Sequence, residues 1–251
     1  KKSSILKMFI QIKNLSKKYK DTLAVNNINF SIEKNKTLGL LGPNGCGKTT
    51  SIGMMLGLIK PTSGEILIDN KNIVSFKRDE ILSRINFASP YIELPKKLTV
   101  RQNLEVYGRL YGIKDLKGRI DEISEDLDIK NFFNRNTGEL SSGQKNRVSL
   151  AKSLINKPEI LFLDEPTASL DPDIGDFVRT YIQKYRSKNQ VTVLLASHNM
   201  NEVERLCDSI IMMKNGEIID RGTCEEIIKK HGRNNLEETF LKLARGKNES
   251  G

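Results

Sequence analysis

The chain has 251 residues, 37% of them hydrophobic and 29% charged, with 18 glycines and 7 prolines. That balance suits a well-buried globular core and excludes collagen-like, disulfide-stapled and wholly disordered chains. Its 41 basic and 31 acidic residues leave a net charge of +10, which favours anionic partners (nucleotides, nucleic acid or an anionic membrane face) without choosing among them.

Three cysteines, Cys46, Cys207 and Cys224, lack metal-ligand spacing and point to a reducing, cytosolic compartment. The basic start has no sustained apolar region of the signal-peptide kind. No apolar run approaches the roughly 20 residues that span a bilayer.

Residues 1–7 are polar and basic without pattern and are expected to form a disordered extension. Apolar residues alternate from Phe9 to Leu15 and again at Val25, Ile28, Phe30 and Ile32, which predicts two or three strands turning at Lys20-Asp21 and Asn35-Lys36. Leu38 to Leu41 reads as a short apolar strand running into a glycine-rich turn. Ile52, Met55, Leu56 and Ile59 then give one apolar face to a helix. A further strand pair is expected at Glu65–Asp69 and Ile85–Ala88. From about 91 to 157 the pattern is helical: Thr99 caps a helix carrying Leu104, Tyr107 and Leu110, and Ile120, Ile123 and Leu127 keep the spacing. After Pro158, strands return at Ile160–Leu163, Val191–Ala196, Ser209–Met213 and Glu217–Asp220, the last two around the hairpin signal Asn215-Gly216. Leu236, Phe240 and Leu243 mark a final helix before residues 246–251, expected to be a disordered tail. The pattern is an α/β core with an inserted helical arm.

Three strand ends carry the chemistry. Gly42-Pro43-Asn44-Gly45-Cys46-Gly47-Lys48-Thr49 matches G-x-x-x-x-G-K-[ST] between a strand and a helix. Glycines let the backbone wrap a phosphate with several N–H groups pointing inward, Lys48 reaches the β/γ-phosphates, and the Thr49 hydroxyl can ligate Mg²⁺. Ile160 to Leu163 is a continuous apolar run, suited to a strand buried on both faces, and it ends in Asp164-Glu165. Val193 to Ala196 ends in Ser197-His198, one of two histidines. In open α/β sheets ligands bind beyond the carboxyl ends of the strands. If the sheet is parallel, all three groups lie along one edge. Asp164 can then hold Mg²⁺ through water, Glu165 can activate the attacking water and His198 can contact the γ-phosphate. This is the composition of a nucleoside-triphosphate hydrolysis site. Cys46, beside Lys48 and a helix start, is expected to favour its thiolate and to make hydrolysis maleimide-sensitive, or, if the site is closed, to be a small inert filler.

At Leu140-Ser141-Ser142-Gly143-Gln144 a polar turn opens a helix; by pattern alone it is an N-cap whose helix start could bind an anion. Taken with the other motifs in their order, from Tyr19 through the phosphate loop, LSSGQ, ILFLDEP, Ala168–Asp171 and Ser197-His198, residues 9–243 resemble an ATP-binding cassette (ABC) ATPase, the motor subunit of ABC transporters. The resemblance implies an α/β P-loop NTPase core with a mixed, largely parallel sheet, an N-terminal antiparallel β subdomain and an inserted helical subdomain. It implies one cassette over residues 8–245, with core 8–90 and 158–245 and helical subdomain about 91–157. Tyr19 would stack on adenine, Thr50 would join the loop's contacts to ATP, and two cassettes, in a homodimer, would pair head to tail. ATP would then lie between one chain's loop and the other's Ser141, Ser142, Gly143 and Gln144, with Asp171 at the interface. Binding would close the pair and hydrolysis reopen it, driving a separate integral membrane permease from the cytoplasmic face.

One position departs from the family. A glutamine that usually follows the strand at Ile85–Ala88 is replaced by Pro90, which offers no side-chain donor or acceptor. Either the metal relies on Thr49, Asp164 and water, or the loop is shifted and Glu93 substitutes; the first is favoured. The stretch Asn235 to Leu241 is similar to the tail of export-type subunits, so an exporter is expected. The alternatives are a soluble ABC ATPase acting on nucleic acid, ribosomes or cofactor assembly, and a non-hydrolysing regulator. The first lacks an aromatic–basic platform for single strands, so nucleic acid is not an expected partner, and the second is disfavoured by Glu165 and His198.

Overall fold

A computed structural model of the chain describes residues 8–74 and 78–245. The expected extension at 1–7 and tail at 246–251 lie outside the described residues. Contacts divide the chain into two units, residues 1–81 with 192–251, and residues 82–191.

In the first unit, β1 (Met8–Tyr19) and β2 (Thr22–Glu33) form an antiparallel hairpin across the turn at Lys20-Asp21. Ile10 and Ile12 face Ile32 and Phe30 on one side and Ile68 and Ile66 on the other, so the alternating apolar residues become cross-strand pairs. β3 (Thr37–Leu41) is buried throughout. Its first N–H donates to the Asp208 carboxylate at 2.7 Å, which fixes where the strand begins. α1 (Lys48–Met55) is shorter than the apolar spacing predicts: Gly57 at φ +68° turns the chain, and Ile59 folds back to pack against Gly53. β4 (Ser63–Ile68) and β5 (Lys71–Asn72) complete a four-stranded sheet ordered β2-β1-β4-β5, and α2 (Arg78–Leu82) follows.

The second unit opens with β6 (Ile85–Ala88). This corrects the expected strand pair: β4 bonds to β1 and β5, whereas β6 runs parallel to β7 (Ile160–Asp164). Both were legible as strands, but two short apolar runs say nothing of their partners. Between β6 and β7 come α3 (Val100–Leu110), α4 (Leu116–Asp126) and α5 (Ser142–Leu154). Thr99 caps α3 in a reciprocal capping box with Gln102. The buried Arg119 of α4 donates to the Leu154 and Ile155 carbonyls, satisfying the C-terminal end of α5. α6 (Pro172–Asn189) closes the unit, with proline at its first turn.

The chain then returns to the first unit through β8 (Thr192–Ala196), α7 (Met200–Leu206), β9 (Ser209–Lys214), β10 (Glu217–Gly222), α8 (Cys224–His231) and α9 (Leu236–Arg245). β8 and β9 flank β3 in parallel and β10 pairs antiparallel with β9. Asn215 and Gly216, at φ +51° and +81°, make the β9–β10 turn as their sequence predicts. Leu41 sits in a buried cluster with Val203, Ile210, Met212, Ile227 and Leu236, so the strand that delivers the phosphate loop is anchored in the core.

Candidate functional site

The phosphate loop leaves β3 at Gly42 and enters α1 at Lys48. A Cβ on Gly42 would stand 2.4 Å from Cys46 Sγ and 2.5 Å from the Met213 carbonyl oxygen, so only glycine fits there. The loop is pinned from outside by Gly216, whose N–H donates to the Cys46 carbonyl at 3.1 Å. Lys48 is buried, and its ammonium reaches back to the Gly42 carbonyl at 2.6 Å and the Pro43 carbonyl at 3.3 Å. The cation therefore lies across the loop formed by residues 42–48, beside the first turn of α1, where N–H groups and the helix dipole also favour an anion. Pro43, Asn44 and Gly45 form the outer bend, and Thr49 and Thr50 stand in the first turn of α1.

His198 belongs to the same unit. Leu40 pairs with Ala196, so Gly42 and His198 each stand two residues past a paired position on adjacent parallel strands. Tyr19, at the end of β1, is 44% exposed, and the Lys17 ammonium lies 4.9 Å from its ring centroid. This unit thus offers a phosphate cradle with a histidine after the neighbouring strand, and an accessible aromatic ring at the end of β1.

In the second unit Ala88 pairs with Leu163, so Pro90 and Glu165 likewise each stand two residues past a paired position. Asp164 and Glu165 are 5% and 8% exposed, far below what solvated terminal carboxylates would show. Glu165 adopts a left-handed backbone at φ +54°. Its carbonyl accepts from the Ala168 N–H at 3.0 Å, and the next carbonyl, of Pro166, accepts from the Asn146 side chain at 2.7 Å. Asn146 was not singled out from the sequence, because a polar residue inside a helix makes no motif. Glu93 is exposed and paired with Lys96 at 2.9 Å. Asp171 is the N-cap residue of α6.

Ser141 caps α5: its hydroxyl accepts from the Gln144 N–H, and the Gln144 side chain accepts from the Ser141 N–H. A Cβ on Gly143 would meet Ile174 Cδ1 at 2.5 Å, so this glycine lets α6 approach α5. Ser142 occupies the first position of the helix. The capping fixes where α5 starts, and a helix start presents N–H donors.

Cys46 overturns an expectation. It is 3% exposed, and burial pushes its thiol up, outweighing the opposing pull of Lys48 and of backbone N–H donors. A chain whose other two cysteines are serine is expected to react slowly with maleimide at neutral pH while folded and fast in guanidinium. Rapid labelling of the folded protein would contradict a buried, protonated thiol.

Residues 25–168 match the protein family described as ABC transporter. The chain is 35% identical over 245 residues to the ABC transporter ATP-binding protein NatA of Bacillus subtilis (strain 168), an alignment covering 94% of this chain and 99% of that protein. It is 35% identical to the Nod factor export ATP-binding protein I of Burkholderia orbicola (strain AU 1054), covering 88% and 72%. The Fe(3+) ions import ATP-binding protein FbpC of Photobacterium profundum is 32% identical, covering 88% and 63%. Among solved structures, the dimeric post-hydrolysis state of the ATP-binding cassette MJ0796 bound to ADP and Pi gives a TM-score of 0.78 at 28% identity, covering 85% of this chain and 98% of that one.

Proposed function

This chain belongs to the ABC transporter family, as one of its ATP-hydrolysing subunits, and from that premise we propose that it powers export through a separate membrane permease. The observation that carries the reading is the register of the strand ends. Gly42 and His198 stand equally far past paired residues in one unit, and Pro90 and Glu165 do so in the other. Export is supported by the likeness of Asn235 to Leu241 to the tail of export-type subunits and by the Nod factor export protein, 35% identical, against 32% for the iron import protein.

In this reading residues 8–245 form one cassette, with the helical subdomain at about 91–157. Lys48 and the loop N–H groups take the β- and γ-phosphates, His198 contacts the γ-phosphate, and Tyr19 stacks on adenine. Glu165 accepts a proton from the attacking water. Ser141, Ser142, Gly143 and Gln144 serve a second copy's nucleotide, with Asp171 beside them. Thr49 and Asp164 would hold Mg²⁺: a hydroxyl and a carboxylate are the hard oxygen donors that ion takes, and it keeps several waters besides. Among the described residues no three His, Cys, Asp or Glu cluster to hold a metal. Once bound, it would neutralise charge on the phosphate oxygens. Glu93 is exposed and paired with Lys96, and in this reading Pro90 leaves the metal to Thr49, Asp164 and water. No helix among the described residues is long and apolar enough to cross a membrane, and the subunit works docked on the cytoplasmic face.

Affinity purification from detergent-solubilised membranes tests the reading. An integral membrane protein is expected to co-purify, and inverted vesicles holding the pair are expected to accumulate substrate when ATP is added outside. Recovery of ribosomes or nucleic acid instead would move the chain to the soluble class, and uptake in the opposite vesicle orientation would make it an importer.

A further inference from the structure

Glu202 lies outside every motif above, yet at 1% exposure it is more deeply buried than Asp164 or Glu165. A carboxylate is costly to bury unless its oxygens are engaged. One of them accepts from the Ser197 hydroxyl at 2.6 Å, and Ser197 is itself fully buried. The same hydroxyl accepts from the Asn199 N–H at 3.1 Å, and the Asn199 side chain accepts in turn from the Glu202 N–H at 3.3 Å. A backbone N–H can only donate and an ionised carboxylate can only accept, so with Glu202 ionised Ser197 takes the Asn199 N–H on a lone pair and sends its single proton to Glu202. The directions in this ring are therefore fixed, and Glu202 is the acceptor that fixes them.

Between the two loop residues of this ring, in sequence, stands His198. Its two neighbours, Ser197 and Asn199, are held by the same carboxylate-bearing residue, one through its side chain and the other through its N–H. The Ser197 N–H also donates to the Leu40 carbonyl, on the strand that delivers the phosphate loop. We propose that Glu202 is a positioning residue for His198: it touches no nucleotide and sets the backbone from which the imidazole projects. The inference rests on the reading of His198 as the γ-phosphate contact. Sequence reasoning could not reach it, since Asn199-x-x-Glu202 looks like an ordinary helix start with its acid in the first turn.

The test compares Glu202→Ala, Glu202→Gln, Ser197→Ala and His198→Ala in the full chain, scoring kcat, KM, nucleotide affinity and the imidazole ring-proton shifts of His198, assigned with a His231→Gln variant. Glu202→Ala is expected to lower kcat at least about tenfold while KM and affinity stay within about twofold, because misplacement acts on the chemical step. The His198 resonance should move. Glu202→Gln keeps an oxygen for Ser197 and should restore kcat to within about threefold of the natural chain. Ser197→Ala should reproduce the loss, and the double variant should be no worse than either single, as for residues acting as one unit. Should Glu202→Ala fail to fold, Ser197→Ala carries the same prediction.

A folded Glu202→Ala or Ser197→Ala with normal kcat, or with an unmoved His198 resonance, overturns the inference while His198→Ala stays inactive. Near-normal turnover in His198→Ala would instead sink the reading of His198, and this inference with it.

Discussion

Glu165→Gln is expected to cut ATP turnover by at least about 10²-fold, the usual scale for a general base, with ATP affinity left within about twofold. The amide has the carboxylate's size but cannot accept the water's proton. The backbone at this position is constrained. Glu165 keeps a left-handed backbone at φ +54°, a conformation that costs a non-glycine residue of order 1–3 kcal/mol and persists only where the surroundings impose it. Here they do so through the Ala168 N–H on the Glu165 carbonyl and the Asn146 amide on the Pro166 carbonyl. Because binding survives and hydrolysis does not, ATP should hold two copies together longer than in the natural chain. Single-turnover kinetics and size-exclusion chromatography with Mg-ATP measure both effects. A variant that turns ATP over at near-normal rates would remove Glu165 from the catalytic role.

The parts of this molecule that were legible in the sequence share one property: a local pattern with a local cause. β3, β7 and β8 are each buried along their whole length, and each carries a run of four residues without a polar side chain. The phosphate loop needs glycine where the Met213 carbonyl or the Ala24 carbonyl presses on the backbone, and those glycines are the motif. What stayed hidden depends on partners distant in sequence. Nothing in Glu65–Asp69 says that it bonds to β1 rather than to Ile85–Ala88. The thiol of Cys46 follows its burial and not the neighbouring Lys48, and burial is a property of the packed chain. Glu202 and Asn146 do their holding through single polar atoms aimed at backbone or hydroxyl groups, with no periodicity to betray them.

Gly47→Ala should weaken nucleotide binding severely, whereas Gly45→Ala, two residues earlier in the same loop, should not. Both glycines have positive φ, +106° and +79°, so both substitutions carry the backbone penalty of about 1–2 kcal/mol that an L residue meets in the left-handed region. Their surroundings differ. A Cβ on Gly45 meets nothing within 4 Å, while one on Gly47 would stand 2.5 Å from the Ala24 carbonyl oxygen and 3.2 Å from Val25 Cγ2. The obstacle at Gly47 is backbone of β2, which cannot rotate away, so the loop itself must move by roughly 1 Å to restore ordinary contact, and a displacement of that size can cost about 10²-fold. Gly47 is also the N-cap residue of α1, and its carbonyl accepts from both the N–H and the hydroxyl of Ser51 at 2.9 Å. Moving it therefore drags the first turn of the helix, with Lys48 and Thr49, out of place. We expect Gly47→Ala to weaken ATP binding by at least about 10²-fold and to lower the melting temperature. Gly45→Ala should stay within about tenfold in turnover, matching its backbone cost alone. Fluorescent-nucleotide titration and thermal melts of the two variants decide the matter. Equal losses in both would mean that backbone strain, and not the close approach of β2, governs the loop.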